Sequence, residues 1–257
     1  MEFVKLAVQD RIGIISLDRP GKLNAMTRQM YQEISAALVQ MDNDPEVWVI
    51  VVRSTTPKAF SAGADLSILH TVLTSGEFNW QAFRPDRFDM GLQVSKPVIA
   101  SIDGFCLAGG MELALSCDMR VAAETAVFGT PEVTWSVLHG FGALMLPRLT
   151  SLGKAMEIMM TGERMSATEA ERLGLVNRVV PPGELESATM ELARRIARNG
   201  PIAVRMTKEI TLRGLNMSLH DGLRLYRELN RTVHASQDSV EGMEAWRERR
   251  EPRYTNT

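Results

Sequence analysis

Two apolar runs of strand length, each followed by a turn of small residues, constrain the fold of this chain most. The first run, 47–52 (VWVIVV), precedes the turn at 59–66 (AFSAGADL), and the second, 97–102 (PVIASI), precedes the turn at 107–113 (LAGGMEL). Short continuous runs rich in β-branched residues are typical of strands buried on both faces of a parallel sheet. The sequence therefore predicts an α/β fold in which each turn leads from a buried strand into a helix.

Strand and helix signals extend to both sides of these runs. Thr27 is a candidate N-cap for a helix, and Ser166 with Glu169 forms a capping box for a short helix that Gly174 would end. Further strands are predicted at 3–8, 12–17, 120–123, 126–129 and 175–180, with a hairpin near Asp10 and Arg11. Helices are predicted at 111–116, 183–199, 202–213, 219–235 and 239–250, and helical pieces that flank a mobile loop at 67–95. The apolar face of the helix after Thr27 comprises Met30, Tyr31, Ile34, Leu38 and Met41.

Charge and composition exclude several classes of partner. The 257 residues include 29 Lys and Arg against 31 Asp and Glu, a net charge of −2 that gives no electrostatic basis for binding nucleic acid or an acidic membrane. Cys106 and Cys117 cannot form a disulfide framework, and four scattered histidines are a poor supply of metal ligands. We therefore expect an intracellular protein without a metal site.

No targeting or membrane segment is visible in the sequence. Residues 1–10 alternate apolar and polar side chains and are predicted to form a strand, which leaves no room for a signal or transit peptide. Apolar runs such as 47–52 are far shorter than the ~18–20 residues of a membrane-spanning helix. We expect a cytoplasmic location.

Common nucleotide and hydrolase motifs are missing from the sequence. It contains no GxGxxG after a strand, no GxxxxGK[ST], no HExxH and no GxSxG. Nucleotide hydrolysis and hydride transfer of the usual kinds are therefore disfavoured.

The two turns of small residues are candidates for a ligand site. Small residues allow a ligand to approach the backbone closely, and a helix that begins after the turn leaves N–H groups unpaired. Two such N–H groups aimed at one point would form an oxyanion hole for a carbonyl oxygen that gains negative charge. Either turn alone fits a plain chain reversal better, but two in succession favour a functional role.

Two glutamates stand out near the second turn. Glu112 lies in the apolar and small-residue run 104–115, and no Lys or Arg occurs from 97 through 119. Burial of an unpaired carboxylate is costly and raises its pKa, whereas the alternative is a first-turn glutamate that the helix dipole favours. Glu132 follows a proline, which is common at a helix start. It gains weight as a partner because two carboxylates of different proton affinity can share acid and base roles.

Taken in order, segments of this sequence resemble the enoyl-CoA hydratase/isomerase (crotonase) superfamily. The resemblance covers nearly the whole chain. Each matching piece is weakly specific by itself, but the order and spacing of the pieces together are highly specific. The pieces are LDRP (17–20), LNA (23–25), AFSAGADL (59–66), KPVIASIDGFCLAGGMELALSCD (96–118), FGTPE (128–132), LPRL (146–149) and AMEIMMTGERMSATEAERLGLVNRVVP (155–181).

The resemblance implies a crotonase-like spiral of ββα units over residues 1–195 with the CoA-thioester site. It implies that 196–257 form a helical C-terminal region that packs across subunits. The expected assembly is a homotrimer, or a hexamer built as a dimer of trimers. CoA enters as part of the acyl-CoA thioester substrate, and no further cofactor or metal is implied.

The resemblance also implies roles for particular residues. The backbone N–H groups of Ala64 and Gly109 would form the oxyanion hole. Glu112 and Glu132 would be the two catalytic glutamates of hydratase members, with Glu112 activating water and Glu132 donating a proton. The residues expected to bind the substrate and its CoA part are Ala25, Ala62, Ala64, Asp65, Leu66, Ser67 and Gly109.

One segment departs from the pattern of the superfamily. Many hydratases read Pro-Gly-x-Gly-Gly after the second glutamate, whereas this chain reads HGFGA at 139–143. His139 is interpreted as a residue that shapes the acyl pocket, with a catalytic role as the alternative. Together with Trp135 and Phe141 it argues against a short linear acyl group and allows a branched, cyclic or hydroxylated one.

The retained glutamate pair favours enoyl-CoA hydratase activity, the reversible addition of water across the 2,3-double bond of an enoyl-CoA thioester. The alternatives within the superfamily are a double-bond isomerase and a specialised dehydratase of the carnitinyl-CoA type. The alternative outside catalysis is an acyl-CoA-binding protein that keeps the fold, which would have no need for paired acids in an apolar site.

Overall fold

The computed structural model describes residues 1–75 and 86–257. The strands are β1 (Val4–Gln9), β2 (Ile12–Leu17), β3 (Val49–Ser54), β4 (Ala59–Ser61), β5 (Val98–Ile102), β6 (Phe105–Leu107), β7 (Met119–Ala123), β8 (Val127–Gly129), β9 (Arg164–Ser166) and β10 (Arg178–Val180). The helices are α1 (Arg28–Asn43), α2 (Leu66–Ser75), α3 (Gly109–Ser116), α4 (Phe141–Leu149), α5 (Leu152–Thr161), α6 (Ala167–Arg172), α7 (Leu185–Ala197), α8 (Pro201–Gly214), α9 (Leu219–His234) and α10 (Gln237–Glu248). Short 3₁₀ turns occupy Pro20–Lys22, Phe88–Met90, Pro131–Trp135 and Pro182–Glu184.

The strands form two sheets that the chain visits in alternation. The larger sheet has the order β1-β2-β3-β5-β7-β10 and is parallel except for the β1–β2 hairpin. The smaller sheet has the order β4-β6-β8-β9, with β9 antiparallel. β3 leads to β4 and α2, β5 to β6 and α3, and β7 to β8 and, after a 3₁₀ turn, α4. Each repeat adds one strand to each sheet and then a helix, which is a spiral of ββα units.

The larger sheet is covered on both faces, which explains its continuous apolar strands. All six residues of β2 are buried, as are the first four of β3 and all of β5. α7 covers one face, and α1 and α3 cover the other. Since α3 carries the second turn of small residues at its N-terminus, its burial against the sheet fixes the position of that turn.

The structure confirms most of the elements predicted from the sequence. The β1–β2 hairpin turns at Asp10 and Arg11, which both have the positive φ of a two-residue hairpin loop. Thr27 caps α1 by accepting a hydrogen bond from Met30 N, and Ser166 caps α6 by accepting one from Glu169 N. In the 67–95 segment, α2 and the 3₁₀ turn Phe88–Met90 match the predicted helical pieces, while 76–85 lie outside the described residues.

Some predicted boundaries were wrong, each for a local reason. The strand predicted at 175–180 is confined to β10, because Leu175 N and Val176 N both donate to Ala170 O and complete the end of α6. The strand predicted at 47–52 begins at Val49 instead. The helix predicted at 239–250 begins two residues earlier as α10, since the Ser236 side chain caps it by accepting from Ser239 N. The helix predicted at 183–199 is a 3₁₀ turn followed by α7.

The C-terminal helices contact the spiral sparingly. The Lys208 ammonium on α8 joins the spiral through the Asp118 carboxylate at 2.7 Å and the Lys96 carbonyl at 2.8 Å. α8 buries Pro201 alone, and α9, which is described in full, buries none of its residues. Across residues 1–75 and 86–257, the helices are all too short or too polar to cross a membrane.

Candidate active site

The two turns of small residues lie directly against each other. A Cβ added to Gly63 would come within 2.7 Å of the Ala108 Cβ and 3.2 Å of Gly109 N. Met26 holds the first turn through a short β-bridge, in which its N–H donates to Gly63 O and its carbonyl accepts from Asp65 N. The structure therefore brings the two turns to one place.

Both turns present a backbone N–H group without a protein acceptor. In the described part of the chain, Ala64 N and Gly109 N make no hydrogen bond, whereas Gly63 N, Asp65 N and Ala108 N all donate to protein oxygens. Gly109 is the first residue of α3, where N–H groups have no partner within the helix. Ala64 N lies 3.6 Å from the position of a Cβ on Gly109, so the two turns bring these groups close together.

The residue before Gly109 has a strained backbone. Ala108 has φ +48° and ψ −124°, a region that L-residues rarely occupy. Its own N–H is satisfied by Gly129 O at 2.9 Å. The surrounding structure holds Ala108 in this strained conformation. The conformation sets the orientation of the next peptide, which carries the Gly109 N–H.

Polar contacts anchor the first turn from outside. The Arg19 guanidinium contacts the Asp65 carboxylate at 2.8 Å and donates to Ala25 O. The hydrogen bond from the Ser67 hydroxyl, then that from Arg19, holds the pKa of Asp65 below its usual range. Asn24, which is fully buried, donates to the carbonyls of Ala59 and Phe60 in β4. The segments LDRP and LNA thus fix the position of the turn that carries Ala64.

Tyr31 of α1 lies beside the second turn. Its hydroxyl oxygen is the atom that a Cβ on Gly109 would strike first. The ring stacks on Phe88 at 5.4 Å between centroids, and the Arg87 guanidinium lies 4.8 Å from the ring centroid. Burial raises the pKa of Tyr31, and the carboxylates of Asp89 and Glu112 raise it further, so the hydroxyl remains protonated.

Glu112 projects from α3 into a buried environment. It is 8% exposed, and its Oε1 accepts a hydrogen bond from Gly142 N at 3.0 Å. A Cβ on Gly140 would lie 3.1 Å from Oε1, so the glycine allows the start of α4 to approach the carboxylate closely. Burial raises the pKa of Glu112, and the nearby Glu132 carboxylate adds to this rise. The burial of this carboxylate, expected from the sequence, is confirmed.

Glu132 faces a histidine. Its Oε2 lies 3.0 Å from His139 Nδ1, and the two side chains are 12% and 7% exposed. His139 Nε2 lies 3.0 Å from the carbonyl oxygen of Met159 in α5. In this rotamer Oε2 lies off the direction of the ring N–H, so within the described residues neither Nδ1 nor Oε2 completes a hydrogen bond of standard geometry. The pair is therefore a close electrostatic contact inside the protein.

The remaining predicted site residues are spread around this centre. Ala62 lies in the first turn and Ala25 precedes Met26, which bridges that turn; both alanines are partly buried, whereas Leu66 and Ser67 begin α2 and are exposed. Trp135 ends the 3₁₀ turn that carries Glu132 and is 63% exposed. The predicted acyl-pocket role of Trp135 therefore stays a prediction.

A cavity of about 1080 Å³ separates the spiral from α8. Its wall includes Leu115, one turn beyond Glu112 on α3, and Phe141 and Met145 of α4. Phe141, which lines this cavity, directly precedes Gly142, whose N–H binds the Glu112 carboxylate.

Two contributors to the site were not predicted from the sequence. Tyr31 was assigned to the apolar face of α1, and its position beside Gly109 has no signal in local spacing. The Gly142 N–H was missed because it meets Glu112 across 30 residues of chain. Over residues 1–75 and 86–257, no group of three or more His, Cys, Asp or Glu side chains is arranged to hold a metal ion.

The arrangement combines two chemical capabilities. Backbone N–H groups that converge on one point can stabilise negative charge on a carbonyl oxygen, and a pair of buried carboxylates can transfer protons. Chemistry that passes through an enolate can use both.

Comparison with known proteins gives matches over the full length of the chain. The family model for enoyl-CoA hydratase/isomerase matches residues 7–257. A probable enoyl-CoA hydratase of Mycobacterium bovis is 38% identical over 256 residues, which cover 99% of this chain and 98% of that protein. A crotonyl-CoA hydratase of Syntrophomonas wolfei is 34% identical over 254 residues, 98% of each protein.

Solved structures give the same result. The crystal structure of an enoyl-CoA hydratase from Bacillus anthracis superimposes with a TM-score of 0.90 at 36% identity, covering 99% of this chain and 100% of that one. The crystal structure of an enoyl-CoA hydratase from Mycobacterium tuberculosis H37Rv superimposes with a TM-score of 0.91 at 34% identity, covering all of both chains.

Proposed function

This chain belongs to the enoyl-CoA hydratase/isomerase family, and we propose on that basis that it is an enoyl-CoA hydratase. The reaction is the reversible addition of water across the 2,3-double bond of an enoyl-CoA thioester, which makes the enzyme a carbon–oxygen lyase. Full-length relatives named enoyl-CoA hydratase or crotonyl-CoA hydratase support this activity. The resemblance to the crotonase superfamily is confirmed, and so is the fold class predicted from it.

One observation carries the proposal for the chemistry. The unpaired N–H groups of Ala64 and Gly109 lie close together, and the buried Glu112 is near enough to Glu132 for the second carboxylate to raise its pKa. A protein that only bound acyl-CoA would gain nothing from two carboxylates held near each other in a buried site. The negative charge of one carboxylate makes ionisation of the other more costly.

In the proposed mechanism the thioester carbonyl oxygen accepts hydrogen bonds from Ala64 N and Gly109 N. These donors are fixed before the reaction, so they stabilise the enolate oxygen as negative charge develops on it. The ionised Glu112 takes a proton from water while the water oxygen forms a bond to the β-carbon. Glu132 gives a proton to the α-carbon, and the enolate collapses to the 3-hydroxyacyl thioester. Dehydration follows the same steps in reverse.

The proposal extends to substrate binding. The CoA side of the site comprises Ala25, Ala62, Asp65, Leu66 and Ser67 together with the two proposed N–H donors. The acyl group points from Glu112 toward Trp135, His139 and Phe141. Of these residues, Phe141 lines the cavity described above, which supports its place beside the acyl group. CoA takes part as a portion of the substrate, and no other cofactor is proposed.

The proposed assembly is a homotrimer, or a hexamer of two trimers, formed by the helical region 196–257 around the 1–195 spiral. The apolar side chains that α9 leaves exposed support this, since it is described in full and buries none of its residues. We place the enzyme in the cytoplasm.

Absorbance of crotonyl-CoA tests the proposed reaction directly. Hydration removes the conjugated enoyl-thioester band, so the purified protein should abolish it and yield 3-hydroxybutyryl-CoA. Glu112→Gln should lower turnover by ~10²–10⁴, while Glu46→Gln, which changes an exposed glutamate near Arg11, should leave it unchanged. Absence of turnover on crotonyl-CoA and on longer, branched and cyclic 2-enoyl-CoA thioesters would contradict the proposal.

A further inference from the structure

His139 links Glu132 to the backbone of a neighbouring helix. Its Nε2 lies 3.0 Å from Met159 O, and its Nδ1 lies 3.0 Å from Glu132 Oε2. The imidazole is almost fully buried, which leaves its two ring nitrogens with these two oxygens as neighbours. The side chain therefore has a polar neighbour at each end, a hydrogen bond at Nε2 and a close electrostatic contact at Nδ1.

The two contacts restrict the protonation states of the pair. A backbone carbonyl oxygen can only accept a hydrogen bond, so Nε2 must carry a hydrogen atom. If the ring is neutral, Nδ1 is then a bare acceptor that faces a carboxylate oxygen at 3.0 Å. Two acceptors repel each other at this distance inside a protein. A proton is consequently required on one of the two atoms, Nδ1 or Oε2.

The charges around the pair favour placing that proton on the ring. Among the described residues, Glu132 has His139 as its ionic partner, and Glu112 has none. The charged groups described near this region are Glu132 from the 3₁₀ turn, Glu112 from α3, and Asp89, whose carboxylate is paired with the Arg87 guanidinium at 2.6 Å. On α5, Lys154 and Glu157 pair with each other. A charged imidazolium is thus the group that offsets the carboxylates.

We propose that His139 is a positioning residue for Glu132 and acts as an imidazolium in the working enzyme. Its Nδ1–H directs Oε2 away from the reacting carbons and leaves Oε1 to exchange a proton with the α-carbon of the substrate. As Oε1 gives up its proton, negative charge grows on the carboxylate, and Nδ1–H is placed to stabilise it. This role rests on the proposed hydratase function and gives a mechanistic reason for the HGFGA segment at 139–143.

Two substitutions separate the two contacts of the ring. In His139→Asn, the amide nitrogen occupies the position of Nδ1 and can donate to Glu132, while the contact with Met159 is lost. In His139→Gln, the amide nitrogen occupies the position of Nε2 and keeps Met159, while the contact with Glu132 is lost. The proposal predicts that Asn keeps kcat within about threefold and that Gln lowers kcat ~10–10²-fold at similar KM. Equal losses in both variants, or a larger loss in Asn, would overturn it.

A measurement that needs no activity keeps this inference separate from the proposed function. Nitrogen NMR of the full chain labelled at histidine, with His139→Asn to assign the signal, reports how many ring nitrogens carry hydrogen. Both ring nitrogens should carry hydrogen in the wild type, whereas Nε2 alone should carry it in Glu132→Gln, whose amide can donate to a bare Nδ1. The same count in both proteins would refute the pairing, whatever thioester the enzyme acts on. Failure of the crotonyl-CoA assay alone would count against the function only.

Discussion

The Gly142 amide donates a hydrogen bond to Oε1 of Glu112 at 3.0 Å, so the first turn of α4 holds the carboxylate that projects from α3. Gly140 permits this approach, because any larger residue would place a Cβ about 3.1 Å from the same oxygen. Burial raises the pKa of Glu112, and the Gly142 N–H opposes that rise by stabilising the ionised form. The balance of these two effects determines the pH at which the proposed base is available.

Removing the donor should shift that balance in a known direction. Gly142→Pro deletes this N–H in the first turn of α4 and puts a ring carbon where the hydrogen pointed at Oε1. The pKa of Glu112 should rise further, so the acidic limb of the kcat/KM profile should move to higher pH. Hydrogen bonds to charged groups contribute ~1.5–3 kcal/mol, which corresponds to a loss of about 10- to 100-fold at neutral pH.

Gly142→Ala is the matched control for this change. An alanine Cβ would make ordinary van der Waals contact with Glu112 at 3.5 Å and would keep the N–H. Its pH profile should match that of the wild type. A profile in Gly142→Pro that keeps its acidic limb in place would show that this hydrogen bond does not tune Glu112.

The same carboxylate should reduce the stability of the fold. A carboxyl group with a raised pKa binds more protons in the folded than in the unfolded state, so it destabilises the folded protein increasingly as pH rises through the folded pKa. Glu112→Gln keeps an acceptor for Gly142 N and removes the charge. The variant should therefore melt at a higher temperature than the wild type at neutral and alkaline pH, by about 2–4 °C for each kcal/mol gained.

Thermal unfolding measured across pH distinguishes relief of the cost of burying the Glu112 carboxylate from a general effect of removing one negative charge. In acid, where Glu112 is protonated in both states, the difference between variant and wild type should vanish. The exposed substitution Glu46→Gln should show no such trend. A melting temperature for Glu112→Gln below that of the wild type at every pH would contradict the expected cost of burying this carboxylate.

The sequence predicted the parts of the site whose chemistry is visible locally. The small size of Gly63 and Gly109 was visible in the sequence, whereas the atoms that a Cβ would strike, Ala108 in the opposite turn for Gly63 and Tyr31 of α1 for Gly109, were not. Glu112 was recognisable because a carboxylate in an apolar run needs a special environment. The strands β2, β3 and β5 were readable because a parallel sheet covered on both faces needs continuous apolar residues.

Contacts between distant segments were not predictable in the same way. The hydrogen bond from Gly142 to Glu112 and the contact of His139 with Met159 join residues 30 and 20 positions apart. No periodicity encodes them, because they depend on how one turn of the spiral stacks on the next. The predicted start of the last strand was wrong for a related reason, because the N–H groups of Leu175 and Val176 donate to Ala170 O at the end of α6.

Tyr31 should limit which residues can replace Gly109. A Cβ on Gly109 would strike the Tyr31 hydroxyl and come within 3.1 Å of the Met26 Cε. Tyr31 is held by stacking on Phe88, so it cannot move away freely. Gly109→Ala should therefore displace the turn and lower turnover by ~10²–10³, the effect of losing one oxyanion donor.

Tyr31→Phe removes the oxygen atom that the new methyl group would strike. The double variant Gly109→Ala with Tyr31→Phe should recover part of the lost turnover, which a double-mutant cycle on crotonyl-CoA would measure. Recovery requires that the loss comes from steric displacement of the turn. Strictly additive effects of the two substitutions would instead show that Tyr31 and Gly109 act independently.

The exposed apolar face of α9 should be the part of this chain that holds the proposed oligomer together. Leu219, Leu223 and Tyr226 recur at helical spacing and are 81%, 50% and 50% exposed. Burial of one such side chain contributes ~1.5–3 kcal/mol, so a charge in their midst should dissociate the assembly. Leu223→Glu should elute as a monomer in size exclusion with light scattering, while Val39→Glu, an exposed apolar position on α1, should keep the wild-type mass. A Leu223→Glu protein with an unchanged oligomeric mass would place the interface on another surface.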